Sequence, residues 1–129
     1  MTDSELMQLS EKIGRALKAR GATVTTAESC TGGWIAKAIT DIAGSSAWFE
    51  RGFVTYSNEA KSQMIGVSEA TLRDNGAVSE PVVVEMAIGA LRAARADYAI
   101  STTTGSLTAP LSRSVASLTP IICDLASLL

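Results

Sequence analysis

The chain has 129 residues, of which 47% are hydrophobic and 19% are charged, a composition typical of one globular domain and not of a disordered or fibrous protein. Its formal net charge of -2 and sequence pI near 5.1 give no basic field for a nucleic-acid backbone, so nucleic acid is not an expected ligand. The polar, acidic start and the lack of an apolar run of about 20 residues predict no signal peptide and no membrane span, so we expect a cytoplasmic protein.

The cysteine and histidine content limits which metal sites and catalytic residues the chain can form. The chain has 2 cysteines, Cys30 and Cys123, which are too few for a disulfide framework and do not form a zinc-ligand cluster, so no metal is expected. It has 0 histidines, which excludes Ser-His and Cys-His catalysis within the chain. A nucleophile would therefore need lysine, tyrosine or a carboxylate as its base.

Hydrophobic spacing predicts alternating helices and strands. Thr2 and Glu5 form the pattern of a capping box, which starts an amphipathic helix that ends at Gly21. The later predicted elements are strands over 22–27, 51–57 and 97–101 and helices over 34–42, 58–64, 68–75 and 80–95. The last of these helices is apolar on nearly every side, so we expect it deep in the fold or at a subunit interface. This order predicts an α/β fold, a three-layer α/β/α sandwich with a partly parallel sheet.

The sequence AESCTGGW at 27–34 lies between a predicted strand and a predicted helix. The backbone N–H groups of Ser29, Cys30, Thr31, Gly32 and Gly33, together with the helix dipole, could hold an anion. An alternative is that the two glycines only form a turn and Thr31 caps the helix. Cys30 is a third possibility as a nucleophile, although a lone cysteine is more often a small buried hydrophobe.

A Ser-Lys pair is the other candidate for catalysis. Ser45 and Ser46 follow a predicted helix, and Tyr56 and Lys61 follow in the next strand and helix. Lys61 falls in the first turn of a helix that we expect Asn58 to cap, where the dipole disfavours positive charge and so favours a neutral amine. The alternatives are a solvated lysine, a loop with two serines and a packing tyrosine.

Parallel strands would bring two of these segments together. The ESCTGG segment follows one predicted strand, and the Tyr56-Ser57-Asn58 segment follows the next strand. If the two strands are parallel, both segments lie at the carboxyl edge of the sheet, where ligands gather in such folds.

Four stretches resemble the CinA C-terminal domain family over about residues 1–100: TAESCTGG at 26–33, AGSSAWFERGFVTYSNEAK at 43–61, IGV at 65–67 and GAVSEPVVVEMAIGA at 76–90. The resemblance implies a cofactor-free amidase that hydrolyses nicotinamide mononucleotide, a small-molecule nucleotide, to nicotinate mononucleotide and ammonia. It also implies that Ser46 attacks the amide, Lys61 takes its proton and Tyr56 relays a proton to the leaving group. The backbone near Ser45 would then stabilise the oxyanion, and the loop over 29–33 would hold the nucleotide.

The resemblance fails from about Thr102 onward. Family members continue with a glycine-rich loop, a strand and a closing helix, whereas this chain continues with STTTGSLTAP and a tail rich in Ser, Thr, Leu and Ala. We therefore expect an incomplete amidase domain over 1–101 and a non-family tail over 102–129, with the C-terminal strands and helix missing or altered. The abrupt change favours a shifted reading frame over natural divergence.

The altered C-terminus affects the expected activity. We expect weak or no amidase activity, because the missing glycine-rich loop would carry substrate contacts, including a basic residue for the phosphate. We also expect association into a homo-oligomer, because a lost strand leaves a sheet edge and an apolar helix without cover. Two other functions stay open. One is a non-catalytic nucleotide-binding or interaction module linked to competence and DNA damage, and the other is a hydrolase that depends on Cys30.

Overall fold

The computed structural model describes residues 2–104 and 107–112, with side chains through Thr103. The helices are α1 (Asp3–Arg20), α2 (Trp34–Thr40), α3 (Asn58–Ile65), α4 (Glu69–Asn75) and α5 (Glu80–Ala94), and a single 3₁₀ turn spans Ser45–Ala47. The strands are β1 (Val24–Glu28), β2 (Phe53–Val54), β3 (Tyr98–Thr104) and β4 (Leu107–Ser112). No helix among the described residues is long and apolar enough to cross a bilayer.

The described strands form one sheet in the order β2-β1-β3-β4. β1 is parallel to both β2 and β3, and β4 is antiparallel to β3. The predicted partly parallel sheet is therefore confirmed. Because β1, β2 and β3 are parallel, their carboxyl ends meet at one edge of the sheet. The segments that follow β1 and β2 therefore lie at the same edge, as expected.

Helices cover both faces of this sheet. Alternate residues of β1 and β3, such as Val24 and Ile100, pack with the α1 and α2 side chains on the first face. Ala27 and Phe53 face the other way and pack with side chains of α3, α4 and α5. The molecule thus has the three layers that the sequence predicts, and we refer below to the α1/α2 face and the α5 face.

Capping residues set several of the boundaries. Thr2 and Glu5 form the predicted capping box of α1, and Gly21 ends this helix in the left-handed conformation with φ 62°. Ser57 caps α3, since its hydroxyl accepts a hydrogen bond from the Ala60 N–H at 3.0 Å. The expectation that Asn58 caps α3 is therefore wrong by one residue.

The C-terminal part of the described sheet contains a strand that the sequence did not predict. β4 pairs with β3 in the register Ile100↔Pro110. Proline lacks an N–H donor, so within a sheet it is confined to positions such as an edge strand, and β4 is the last strand of the described sheet. The expected non-family tail over 102–129 thus includes the end of β3 and all of β4, while its residues 105–106 and 113–129 lie outside the described part of the chain.

The apolar helix α5 lies deep in the fold, as expected. Its buried side chains are Val82, Val83, Met86, Ala87, Ala90 and Leu91. Gly89 lets α5 approach the end of α3, because a Cβ atom at this position would overlap the backbone carbonyl of Ile65. A carbonyl group in a helix end cannot swing aside as a side chain can.

We expect Gly89→Ala to destabilise the protein. Alanine gains about 1 kcal/mol over glycine in a helix interior, but overpacking against a backbone group costs about 1–3 kcal/mol, so we expect a net loss of up to about 2 kcal/mol. Urea unfolding would measure this difference, with Val84→Ala on the exposed side of α5 as a control that changes stability little. A gain in stability for Gly89→Ala would show that the two helices are not in close contact.

Candidate active site

The last residue of β1, Glu28, is completely buried and holds the start of α2. Its carboxylate accepts hydrogen bonds from the Ile35 N–H at 2.7 Å, the Ala36 N–H at 3.1 Å and the Thr31 hydroxyl at 2.9 Å. A carboxylate at a helix N-terminus compensates both the unpaired N–H groups and the dipole. The dipole that the sequence analysis assigned to a substrate anion is therefore already compensated by the protein itself, and this part of the expectation is corrected.

The loop between β1 and α2 is a glycine-dependent turn. Gly32 and Gly33 have φ of 65° and 102°, in the left-handed region that favours glycine, and the Gly32 N–H donates to the Ser29 carbonyl at 3.2 Å. The turn predicted as an alternative is thus present. Thr31 does not cap α2, however, because the cap position is Gly33 and the Thr31 hydroxyl binds Glu28.

Ser29 follows Glu28 and its side chain lies on the opposite face of the sheet, against α3. There Lys61 Nζ donates to Ser29 Oγ at 3.1 Å and to the Tyr56 carbonyl at 3.2 Å. Both side chains are buried, with 1% of Lys61 and 5% of Ser29 exposed. The structure therefore forms a buried Ser-Lys pair, but its serine is Ser29.

The surroundings of Lys61 favour a neutral amine. Burial lowers the pKa of Lys61 below its ordinary value of 10.5, and nearby Cys30 opposes this shift in part. Among the described residues, the ion pairs join exposed side chains elsewhere and none includes Lys61. The amine also lies in the first turn of α3, where the helix dipole disfavours its charge.

Ser46 lies at the other end of the sheet. The residues directly after it anchor the amino end of β1: the Val24 N–H donates to the Trp48 carbonyl at 2.8 Å, and Phe49 bridges Val24 in parallel. Ser46 is exposed, while its neighbour Ser45 is buried and donates to the Thr40 carbonyl at 3.5 Å. The structure does not bring Ser46 to Lys61, which lies at the carboxyl end of β1.

Tyr56 and Cys30 flank the pair on the outside. The Tyr56 side chain is 76% exposed, and its backbone carbonyl, not its hydroxyl, contacts Lys61. Cys30 is an exposed free thiol. Neither side chain forms a hydrogen bond to Ser29 Oγ or Lys61 Nζ. Because the Tyr56 and Cys30 side chains are exposed, we place them at the rim of the site.

Glu28 is the residue of this site whose role the sequence analysis missed. An acidic residue at the end of a strand rich in β-branched residues, followed by a short glycine turn and a helix, was a usable signal, because a buried carboxylate needs several donors. The described residues contain no group of three or more histidine, cysteine or acidic side chains that could hold a metal ion.

Comparison with known proteins identifies the family. The model of the CinA C-terminal domain matches residues 6–107, and the chain belongs to this family. It is 87% identical over 101 residues to the Escherichia coli K12 protein named nicotinamide-nucleotide amidohydrolase PncC, and 68% identical to the protein of the same name from Enterobacter agglomerans. Each match covers 78% of this chain but only 61% and 62% of the two relatives, so the chain spans about three-fifths of their length.

Solved structures show the same fold. The competence/damage inducible protein CihA from Agrobacterium tumefaciens superposes with a TM-score of 0.82 at 34% identity, covering 99% of this chain and 92% of that one. A CinA superfamily protein from Escherichia coli superposes with a TM-score of 0.78 at 28% identity, covering 99% and 89%. The predicted resemblance is thus confirmed. The family model extends to residue 107, while the expected domain boundary at residue 101 stays a prediction.

We expect Glu28→Gln to destabilise the chain by about 2–3 kcal/mol. The amide nitrogen that replaces one oxygen cannot accept, so a buried N–H of α2 loses its charge-assisted partner. Urea unfolding measures the change, with Glu59→Gln, an exposed residue in the first turn of α3, as the matched control. Equal effects of the two substitutions would contradict the structural role of Glu28.

We expect Lys61→Met to raise the free energy of unfolding, and the gain to depend on pH. Because the folded-state pKa of Lys61 is lowered, the charged amine destabilises the folded chain fully below that pKa. This cost declines as pH rises from the lowered pKa toward 10.5. Unfolding of both proteins across this range should therefore show a difference that shrinks with pH, and a difference independent of pH would contradict the buried amine.

Proposed function

We propose that the site hydrolyses the carboxamide of a nicotinamide nucleotide, with Ser29 as the nucleophile and Lys61 as its base. The observation that carries the proposal is the buried hydrogen bond between Ser29 Oγ and Lys61 Nζ. Its support from relatives is the 87% identity to a protein named nicotinamide-nucleotide amidohydrolase. A chain without histidine needs such a base, and burial supplies one by favouring the neutral amine.

In the proposed mechanism, Ser29 Oγ attacks the carbonyl carbon as its proton passes to neutral Lys61. The resulting ammonium then gives this proton to the amide nitrogen, and the C–N bond breaks to release ammonia and leave an acyl-Ser29 ester. Water attacks the ester while Lys61 again takes the proton. The nicotinate nucleotide leaves as the proton returns to Ser29.

The loop after Ser29 can stabilise the oxyanion. The backbone N–H groups of Cys30 and Thr31 make no hydrogen bond to another described residue, and they follow the attacking serine directly. Fixed donors of this kind, aimed at the developing negative charge, contribute several kcal/mol, roughly 2.7–4 for one donor in a serine protease. This gives the predicted loop a role next to the carbonyl group.

The contacts of Ser46 and Tyr56, the two other predicted catalytic residues, give less support for a role in this mechanism. Ser46 as nucleophile has no contact to Lys61 to support it, and the exposed hydroxyl of Tyr56 is compatible with contact to a substrate at the rim. We also propose that activity is reduced relative to longer relatives, that the substrate is a small-molecule nucleotide, and that the protein is cytoplasmic and forms a homo-oligomer. Support for reduced activity is that the sequence changes character from about Thr102 onward.

Ammonia release from nicotinamide mononucleotide tests the assignment. We expect the unchanged chain to release ammonia more slowly than the longer relatives, Ser29→Ala to lower this rate at least about a thousandfold, and Ser46→Ala to leave it nearly unchanged. The reverse pattern would make Ser46 the nucleophile.

Two further results would contradict the proposal in different ways. Activity that survives both serine substitutions but is lost with a thiol reagent would favour Cys30. No ammonia from the unchanged chain would contradict amidase activity and leave the non-catalytic nucleotide-binding module as the better description.

A further inference from the structure

Two hydroxyl groups without a partner flank Ser29 on the α5 face. Thr55 follows β2 and Thr103 lies near the end of β3, and both side chains are buried. Their Oγ1 atoms have no hydrogen-bond partner among the described residues. Burying a hydroxyl without a partner costs free energy, so such groups need an explanation.

The register of the sheet places the two hydroxyls on either side of Ser29. Ala27 pairs with Phe53 on one side and with Ser101 on the other. The residues two positions further along the three chain segments are Thr55, Ser29 and Thr103, and they form one row across the sheet with their side chains on the same face. The Thr55 N–H donates to the Glu28 carbonyl at 2.8 Å and the Ser29 N–H to the Thr102 carbonyl at 3.1 Å, which extends both ladders to this row. Neighbouring strands lie about 4.8 Å apart.

A bulge marks the same position on β3. The β3-β4 pairing runs from Thr102↔Thr108 directly to Thr104↔Leu107, which leaves Thr103 as the extra residue. Bulges are common next to active sites, where they aim a side chain. Thr103 is thus singled out by its burial, its unpartnered hydroxyl and its place in the strand.

We propose that Thr55 and Thr103 position the scissile carboxamide over Ser29 by hydrogen bonding to it. A primary carboxamide has one carbonyl oxygen that accepts and an NH₂ group that donates, and a hydroxyl can serve either role. Since one hydroxyl lies on each side of Ser29, one can bind the carbonyl oxygen of the carboxamide and the other its NH₂ group. This inference rests on the proposed function and deepens it, since it names the groups that recognise an amide.

Isosteric substitutions test this inference. We expect Thr55→Val and Thr103→Val each to lower kcat/KM for nicotinamide mononucleotide about tenfold, and Thr55→Ser and Thr103→Ser to restore it. The matched control is Thr26→Val, because Thr26 is also buried with an unpartnered hydroxyl but lies on the α1/α2 face of β1. This control should keep wild-type kinetics.

The stability of the valine variants distinguishes a positioning role of Thr55 and Thr103 from a structural role. Replacing an unpartnered buried hydroxyl with a methyl group of the same shape should not lower the free energy of unfolding in urea. Unchanged kcat/KM in both valine variants would overturn the inference. A loss of activity that accompanies a loss of stability and is not restored by serine would overturn it as well.

A binding measurement separates the inference from the proposed function. Calorimetry with nicotinamide mononucleotide and Ser29→Ala, compared with Ser29→Ala/Thr55→Val, needs no turnover and should show about tenfold weaker binding to the double variant. If the unchanged chain releases no ammonia but this difference is found, the proposed function fails and the inference stands. If neither turnover nor binding is found, both are overturned.

Discussion

The alternation of side chains at the end of β1 is the constraint on which the site depends. Successive residues of a strand face opposite sides of the sheet. Glu28 therefore lies on the α1/α2 face, where it holds the start of α2, and Ser29 lies on the α5 face, where it meets Lys61. A shift of β1 by one residue would exchange the two side chains and place a carboxylate against α3 and a small hydroxyl beneath α2.

Lys61 is held in place at a cost that packing must offset. Its amine is withdrawn from water, and its hydrogen-bond partners among the described residues are one hydroxyl and one carbonyl group. The same helix contributes Ile65 to the cluster with Val82 and Met86, and each such buried side chain contributes about 1.5–3 kcal/mol. The cluster on the α5 face is thus able to retain an amine that is poorly solvated, which is the state that a lysine base requires.

Much of the fold follows from the sequence, because its signals are local. Caps such as Thr2 and the periodic apolar residues of α1 and α5 depend on neighbours within a few turns, and those helices lie where predicted. β4 did not show a strand pattern, since its place is set by pairing with β3 and not by its own alternation. Tertiary pairing of this kind carries little signal in one short segment.

The sequence predicted where Lys61 and the loop after β1 lie, but not which serine contacts Lys61. The two loops at the carboxyl ends of β1 and β2 lie together, as parallel strands require. Ser46 belongs to the connection between α2 and β2, which returns the chain to the amino end of the sheet, so topology already separates it from Lys61. The chemical reasoning that a histidine-free chain needs a lysine base selected Lys61, and the strand order selects its serine.

The two parts of the site depend differently on the C-terminus. Ser29 and Lys61 come from β1 and α3, in the part of the chain that resembles the family without interruption. Thr103 comes from the bulge between β3 and β4, inside residues 6–107 that match the family model but beyond the expected domain boundary at residue 101. Since β4 supplies the pairing that creates this bulge, the proposed contact of Thr103 with the carboxamide depends on residues beyond 101, whereas the contact between Ser29 and Lys61 does not. In the proposed mechanism, a change in β4 would therefore weaken binding of the carboxamide and leave the contact between Ser29 and Lys61 in place.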